Sequence, residues 1–125
     1  MEDVIRLGVG DMAEITDVVD RQTAAFRNRD LDGFLACYSP GVRIRDFDGN
    51  EVMAGHEAIR GMYGPLFRDS PELSVQIPSR IAAGDFVIEE EHLSGFVLAG
   101  YPTQMHVALV YRVRDGLIQD VVLLM

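Results

Sequence analysis

A chain of 125 residues that is 48% hydrophobic has room for one globular domain with a proper core, and it contains no apolar run long enough to span a membrane. Its formal charge of −9 repels phosphate backbones, which makes nucleic acid a poor partner. All eleven basic residues are arginine. With no lysine there is no Schiff base, no anchor for pyridoxal phosphate and no P-loop, and no cofactor is expected.

The opening "MEDVIRLGVGD" is acidic and mixed, without the basic start and apolar core of a signal peptide. The single cysteine, Cys37, cannot pair internally and fits a reducing compartment. A cytoplasmic location is the expectation. Asp11 reads as the N-cap of a first helix, with Glu14 completing a capping-box pattern. Ile15, Val18, Val19, Gln22, Ala25 and Phe26 share one face of that helix, and Gln22 is the polar member. Asp30 can cap a short second helix carrying Leu31, Phe34, Leu35 and Tyr38, which "SPG" at 39–41 would stop.

A strand follows in "VRIRDFDG" (42–49). Its period of two puts Val42, Ile44 and Asp46 on one face and Arg43, Arg45 and Phe47 on the other. Asp46 therefore follows the apolar side. Periodicity leaves two readings of it open, a pocket carboxylate or a cap on the "DFDG" turn. A hairpin turn and a short strand at 51–54 come next, then a third helix from about His56 to Phe67, with Pro65 distorting its last turn. The second half is strand-rich. Leu73, Val75 and Ile77 alternate, Gly84-Asp85 turns the chain into 86–93, and "MHVALVYRV" is apolar on nearly both faces. Asp115-Gly116 is a strong hairpin signal leading into "LIQDVVLLM". Helices first and an antiparallel meander afterwards make one α+β domain over residues 1–125. One sheet face can pack on the helices. The opposite face, around His106, Ala108 and Val110, needs other cover, and a second copy of the chain is the simplest, as a homodimer.

The phrases "NRDLDGFLACYSPGVRIRDFDG", "AGHEAIRGMY" and "VYRVRDGLIQDV", in that order behind a long helix, resemble the SnoaL-like branch of the nuclear-transport-factor-2-like superfamily, to which ketosteroid isomerase also belongs. The resemblance covers about residues 12–125. It implies a cone-shaped barrel, a strongly bent and mainly antiparallel sheet wrapped around about three helices and enclosing one pocket. It puts Asp46 at the isomerase's catalytic base, with Tyr38 and Tyr63 at two supporting tyrosines. Gln22 and Leu109 stand where the isomerase carries its oxyanion donors, so steroid isomerisation itself is not expected.

In "FVIEEEHL" the alternation gives Phe86, Ile88, Glu90 and His92 on one face and Val87, Glu89, Glu91 and Leu93 on the other, without choosing between them. The family pattern points the first set inward, making Glu90 and His92 a candidate acid–base pair beside Asp46. A solvated acidic strand is the plain alternative. The implied pocket wall comprises Gln22, Tyr38, Tyr63, Phe67, Ile88, Met105, Val107 and Leu109. His56 is expected to be exposed and His106 to face outward. The three histidines show no zinc-ligand spacing, so no metal is expected. Cys37 reads as a small buried hydrophobe. The resemblance thus implies a pocket enzyme of isomerase, cyclase or hydratase type, with Asp46 as general base on a small, apolar, carbonyl-bearing molecule. The alternative is a non-catalytic module of the same fold that binds a hydrophobic ligand or dimerises.

Overall fold

The computed structural model describes residues 2–125, with side chains from residue 15 onward. Helix α1 spans Glu2–Arg27 and α2 spans Leu31–Leu35. Strands β1 (Tyr38–Asp46) and β2 (Glu51–Ala54) precede α3 (Gly55–Asp69). Strands β3 (Ser74–Ala83), β4 (Phe86–Ser94), β5 (Met105–Arg114) and β6 (Leu117–Leu124) complete the chain. No helix among the described residues is long and apolar enough to cross a membrane.

The stripe expected on α1 is the face that is buried. Val18 and Val19 are fully enclosed, and Ile15, Gln22, Ala25 and Phe26 are buried beside them. The helix runs through position 11, so Asp11 is not its start, and the side chains of Asp11 and Glu14 lie outside the described residues. Asp30 does cap α2, its carboxylate accepting from the Gly33 amide at 3.0 Å. Tyr38 belongs to β1 and not to the helix before it. The Ile118 amide donates to the Cys37 carbonyl and Tyr38 pairs with Ile118, so the sheet captures the chain two residues before Pro40. Pro65 sits inside α3 without ending it.

The six strands form one sheet in the order β2-β1-β6-β5-β4-β3. All neighbours are antiparallel except β1 and β6, which are parallel, so the sheet is mixed. It has two free edges, β2 and β3, and is not closed into a barrel. Register breaks at Ile44/Arg45, Gln76/Ser79 and Arg112/Val113 mark bulges, which bend strands and raise their twist. The Asp115-Gly116 turn forms as expected, with φ of 55° and 74° at its two central residues.

The helices cover one face of this sheet. Phe34 of α2 is fully buried where its ring meets those of Phe26, Tyr38, Tyr63 and Phe67, with centroids 4.6 to 6.2 Å apart. Truncating such a ring costs about 3–5 kcal/mol. This aromatic knot joins all three helices to β1 and closes one end of the space between helices and sheet.

Candidate active site

Between α1, α3 and the inner sheet face lies a cavity of about 80 Å³, enough for several waters or a small ligand. Its walls are mostly apolar: Phe26, Ile44, Met53, Met62, Val75, Leu93, Phe96, Met105, Val107, Leu109, Val121 and Leu123. Val52, Tyr101 and Met125 line it too and are exposed, so they mark its mouth. The polar groups on the wall are Gln22, Thr23, Tyr38, Tyr63, Tyr111 and Glu91.

Glu91 is the carboxyl in the cavity. In β4 it alternates with Val87, Glu89 and Leu93 on the inner face, and β5 pairs it with Val107 and pairs Glu89 with Leu109. Apolar cross-strand partners pull both acidic side chains into the core. Glu89 is fully buried and is clamped by Arg80, whose Nε donates to Glu89 Oε2 at 2.7 Å. Asp20 on α1 holds the same guanidinium from its other side at 2.7 Å.

Among the described residues no cation forms an ion pair with Glu91, and the Arg27 charge pulls its pKa down only in part. Burial first, and then its hydrogen bond to Glu89 and the charge there, push its pKa up to about 8. A second observation agrees. Glu89 Oε1 is buried and has no hydrogen-bond partner among the described residues. A proton on Glu91 supplies that donor, and a group caged with a fixed anion keeps its proton more tightly. Around neutral pH Glu91 therefore keeps its proton on the cavity wall.

The tyrosines are donors and not bases. Burial raises the Tyr38, Tyr63 and Tyr111 pKa values above that of an ordinary phenol, and the Glu91 carboxylate adds to the effect. Tyr111 O–H points at Glu91 Oε2 from 3.5 Å. The Gln22 amide donates to Tyr38 Oη at 3.0 Å and its carbonyl accepts from Thr23 Oγ1 at 3.3 Å. Gln22 thus serves both as a buried, satisfied amide and as part of the cavity wall.

The expected catalytic residues lie elsewhere. Asp46 does not line the cavity. It still pairs with Leu123, a cavity residue, but its carboxylate turns back on the hairpin and accepts from the Asn50 amide at 2.8 Å and from Asn50 Nδ2 at 3.1 Å. These bonds hold its pKa below the usual range. β1 keeps its register with β6 through Asp46, so the hairpin bonds and not a break in alternation turn this carboxylate away. Glu90 and His92 face the outer side of the sheet with Ile88, because the inner set is the other one. Phe67 is buried in the aromatic knot and not on the cavity wall. Gln22, Tyr38, Tyr63, Met105, Val107 and Leu109 do line the cavity.

His56 is half-buried, with Nε2 2.8 Å from the Tyr38 carbonyl, where it ties the start of α3 to β1. Cys37 is buried and its pKa is raised by burial, as suits a packing residue. The cavity carboxyl that the sequence does not single out is Glu91. Its signal was the β5 pattern, since Val107, Leu109, Tyr111 and Val113 are the more apolar set and draw their β4 partners inward.

Three comparisons place this geometry among known proteins. The model of the SnoaL-like domain matches residues 19–121. No curated protein sequence matches the chain. Among solved structures, an uncharacterised cystatin-fold protein from Novosphingobium aromaticivorans superposes with a TM-score of 0.78 at 20% identity, over 89% of this chain and 97% of that one. A candidate polyketide cyclase from Sinorhizobium meliloti gives 0.69 at 17% identity, over 86% and 93%. A candidate ketosteroid isomerase from Kribbella flavida gives 0.68 at 16%, over 90% and 78%. At these identities the structures share the fold with this chain. The family match spans most of its length, and the chain belongs to the SnoaL-like domain family.

Proposed function

We propose that this SnoaL-like protein binds a small, apolar, carbonyl-bearing molecule in its cavity and moves a proton on it through Glu91. The observation that carries this reading is a buried carboxyl on the wall of a mostly apolar pocket, where burial pushes its pKa up to about 8. Protonated Glu91 gives its proton to the ligand's oxygen, and the carboxylate so formed takes one from carbon. Isomerisation, cyclisation, dehydration and water addition all use such transfers. Tyr63 and Tyr111 contribute neutral O–H donors beside the same carboxyl.

The test is a screen of small apolar ketones, enones and quinones for turnover, followed by two variants. Glu91→Gln should lower kcat by about 100-fold or more. Asp46→Asn should leave it within a factor of two, roughly. Full activity in Glu91→Gln would remove the assignment.

The modest cavity favours a second reading, a binding protein without turnover. It expects ligands that raise Tm yet leave the protein unchanged. A homodimer through the outer sheet face also remains part of the proposal, because Ile88, Ala108, Val110 and Val122 there are only half-covered in a single chain. Light scattering that finds monomer alone would dismiss it.

A further inference from the structure

On the outer face of the sheet, β4 and β5 bring Glu90, His92 and His106 side by side, and we propose that these three residues form a binding site for a divalent transition metal of the zinc class. His92 and His106 are direct cross-strand partners, and residues so paired project from the same face. Their rings stack with centroids 4.1 Å apart and planes 12° from parallel. Glu90 lies two residues before His92 and so shares that face. Its Oε2 is 2.6 Å from His106 Nε2 and 3.8 Å from His92 Nε2. One ligand atom from each of the three side chains falls within 4.8 Å of the others.

That spacing matches what a metal needs. Zinc bonds of about 2.0–2.2 Å in tetrahedral geometry separate the ligand atoms by roughly 3.3–3.5 Å. The ligand atoms stand close to that spacing, with the two carboxylate–imidazole distances at 2.6 and 3.8 Å and all three atoms within 4.8 Å. The carboxylate is already oriented: Ser79 Oγ donates to Glu90 Oε1 at 2.9 Å and leaves Oε2 turned toward the imidazoles. Two imidazole nitrogens and one carboxylate oxygen suit zinc, cobalt or nickel better than calcium or magnesium, which prefer all-oxygen sites. A fourth position points away from the sheet, open to water or to a donor from a second copy. In a single chain all three side chains are reachable from solvent, and the contact a metal would displace is an exposed hydrogen bond between His106 and Glu90. Chain positions 90, 92 and 106 show no ligand spacing in sequence, because the β4–β5 register makes the site.

The test uses untagged, metal-free protein titrated with zinc chloride by calorimetry and with cobalt(II) by visible absorption. One saturable equivalent per chain and cobalt ligand-field bands are expected. His92→Asn and His106→Asn should each weaken zinc binding by at least about tenfold, and Ser79→Ala by a smaller factor. His56→Asn should leave it unchanged. These are surface substitutions, so circular dichroism will show the fold retained. Absence of saturable binding would overturn the proposal. So would wild-type affinity in both histidine variants, or an equal loss in His56→Asn.

Discussion

The two faces of strand β4 carry the same kind of residue to opposite ends. Glu89 and Glu91 point inward, where one is a buried carboxylate clamped by Arg80 and the other is kept protonated. Glu90, between them, points outward. Its hydrogen bonds to His106 and Ser79 hold its pKa below the ordinary value. Three consecutive glutamates thus have three electrostatic roles, and the peptide chain between them is regular. The environment supplied by the neighbouring strands decides each role. The proposed acid sits on one side of the sheet, and the proposed cation site on the other.

The sharpest way to break the inner arrangement is to remove its cation. Arg80→Ala should cost about 3–5 kcal/mol in urea unfolding, because it strands the Glu89 charge in the core. Adding Glu89→Gln to that variant should restore much of the loss, which a simple packing defect would not allow. Next in size is a pH effect. The unfolded chain releases the Glu91 proton near the ordinary value of 4.5, whereas the folded chain keeps it to about 8. Unfolding free energy should therefore fall as pH rises across that window, and Glu91→Gln should flatten the slope there. If wild type and variant show the same slope, Glu91 is not the group responsible. The smallest effect belongs to the outer face. Glu90→Gln, at the surface, should leave Tm unchanged while altering zinc binding.

Much of the fold could be read from the residues because burial repeats with the period of each element. The α1 stripe ending in Phe26 and the hairpin at Asp115-Gly116 are examples, and both stand where expected. The site was less legible for two physical reasons. "EEEH" is polar at both parities, so its alternation carries no sign, and only pairing with Val107 and Leu109 across β5 supplies one. The ten-residue connection from Gly95 to Gln104 hides that register. Asp46 misled for a different reason. Its place in the alternation is real, and it pairs with a cavity residue, but the hairpin competes for the carboxylate and wins it with two bonds from Asn50. The outward position of His106 already implied an outward His92 once the two strands pair in register.

The central claim is that Glu91 keeps its proton inside the cavity. Carbon-13 NMR of the glutamate side-chain carboxyls, titrated from pH 4 to 10 with Glu91→Gln to assign the signal, tests it directly. A Glu91 midpoint near 8 is the result expected. A midpoint at the ordinary glutamate value of 4.5 would contradict the account and leave the cavity without its acid.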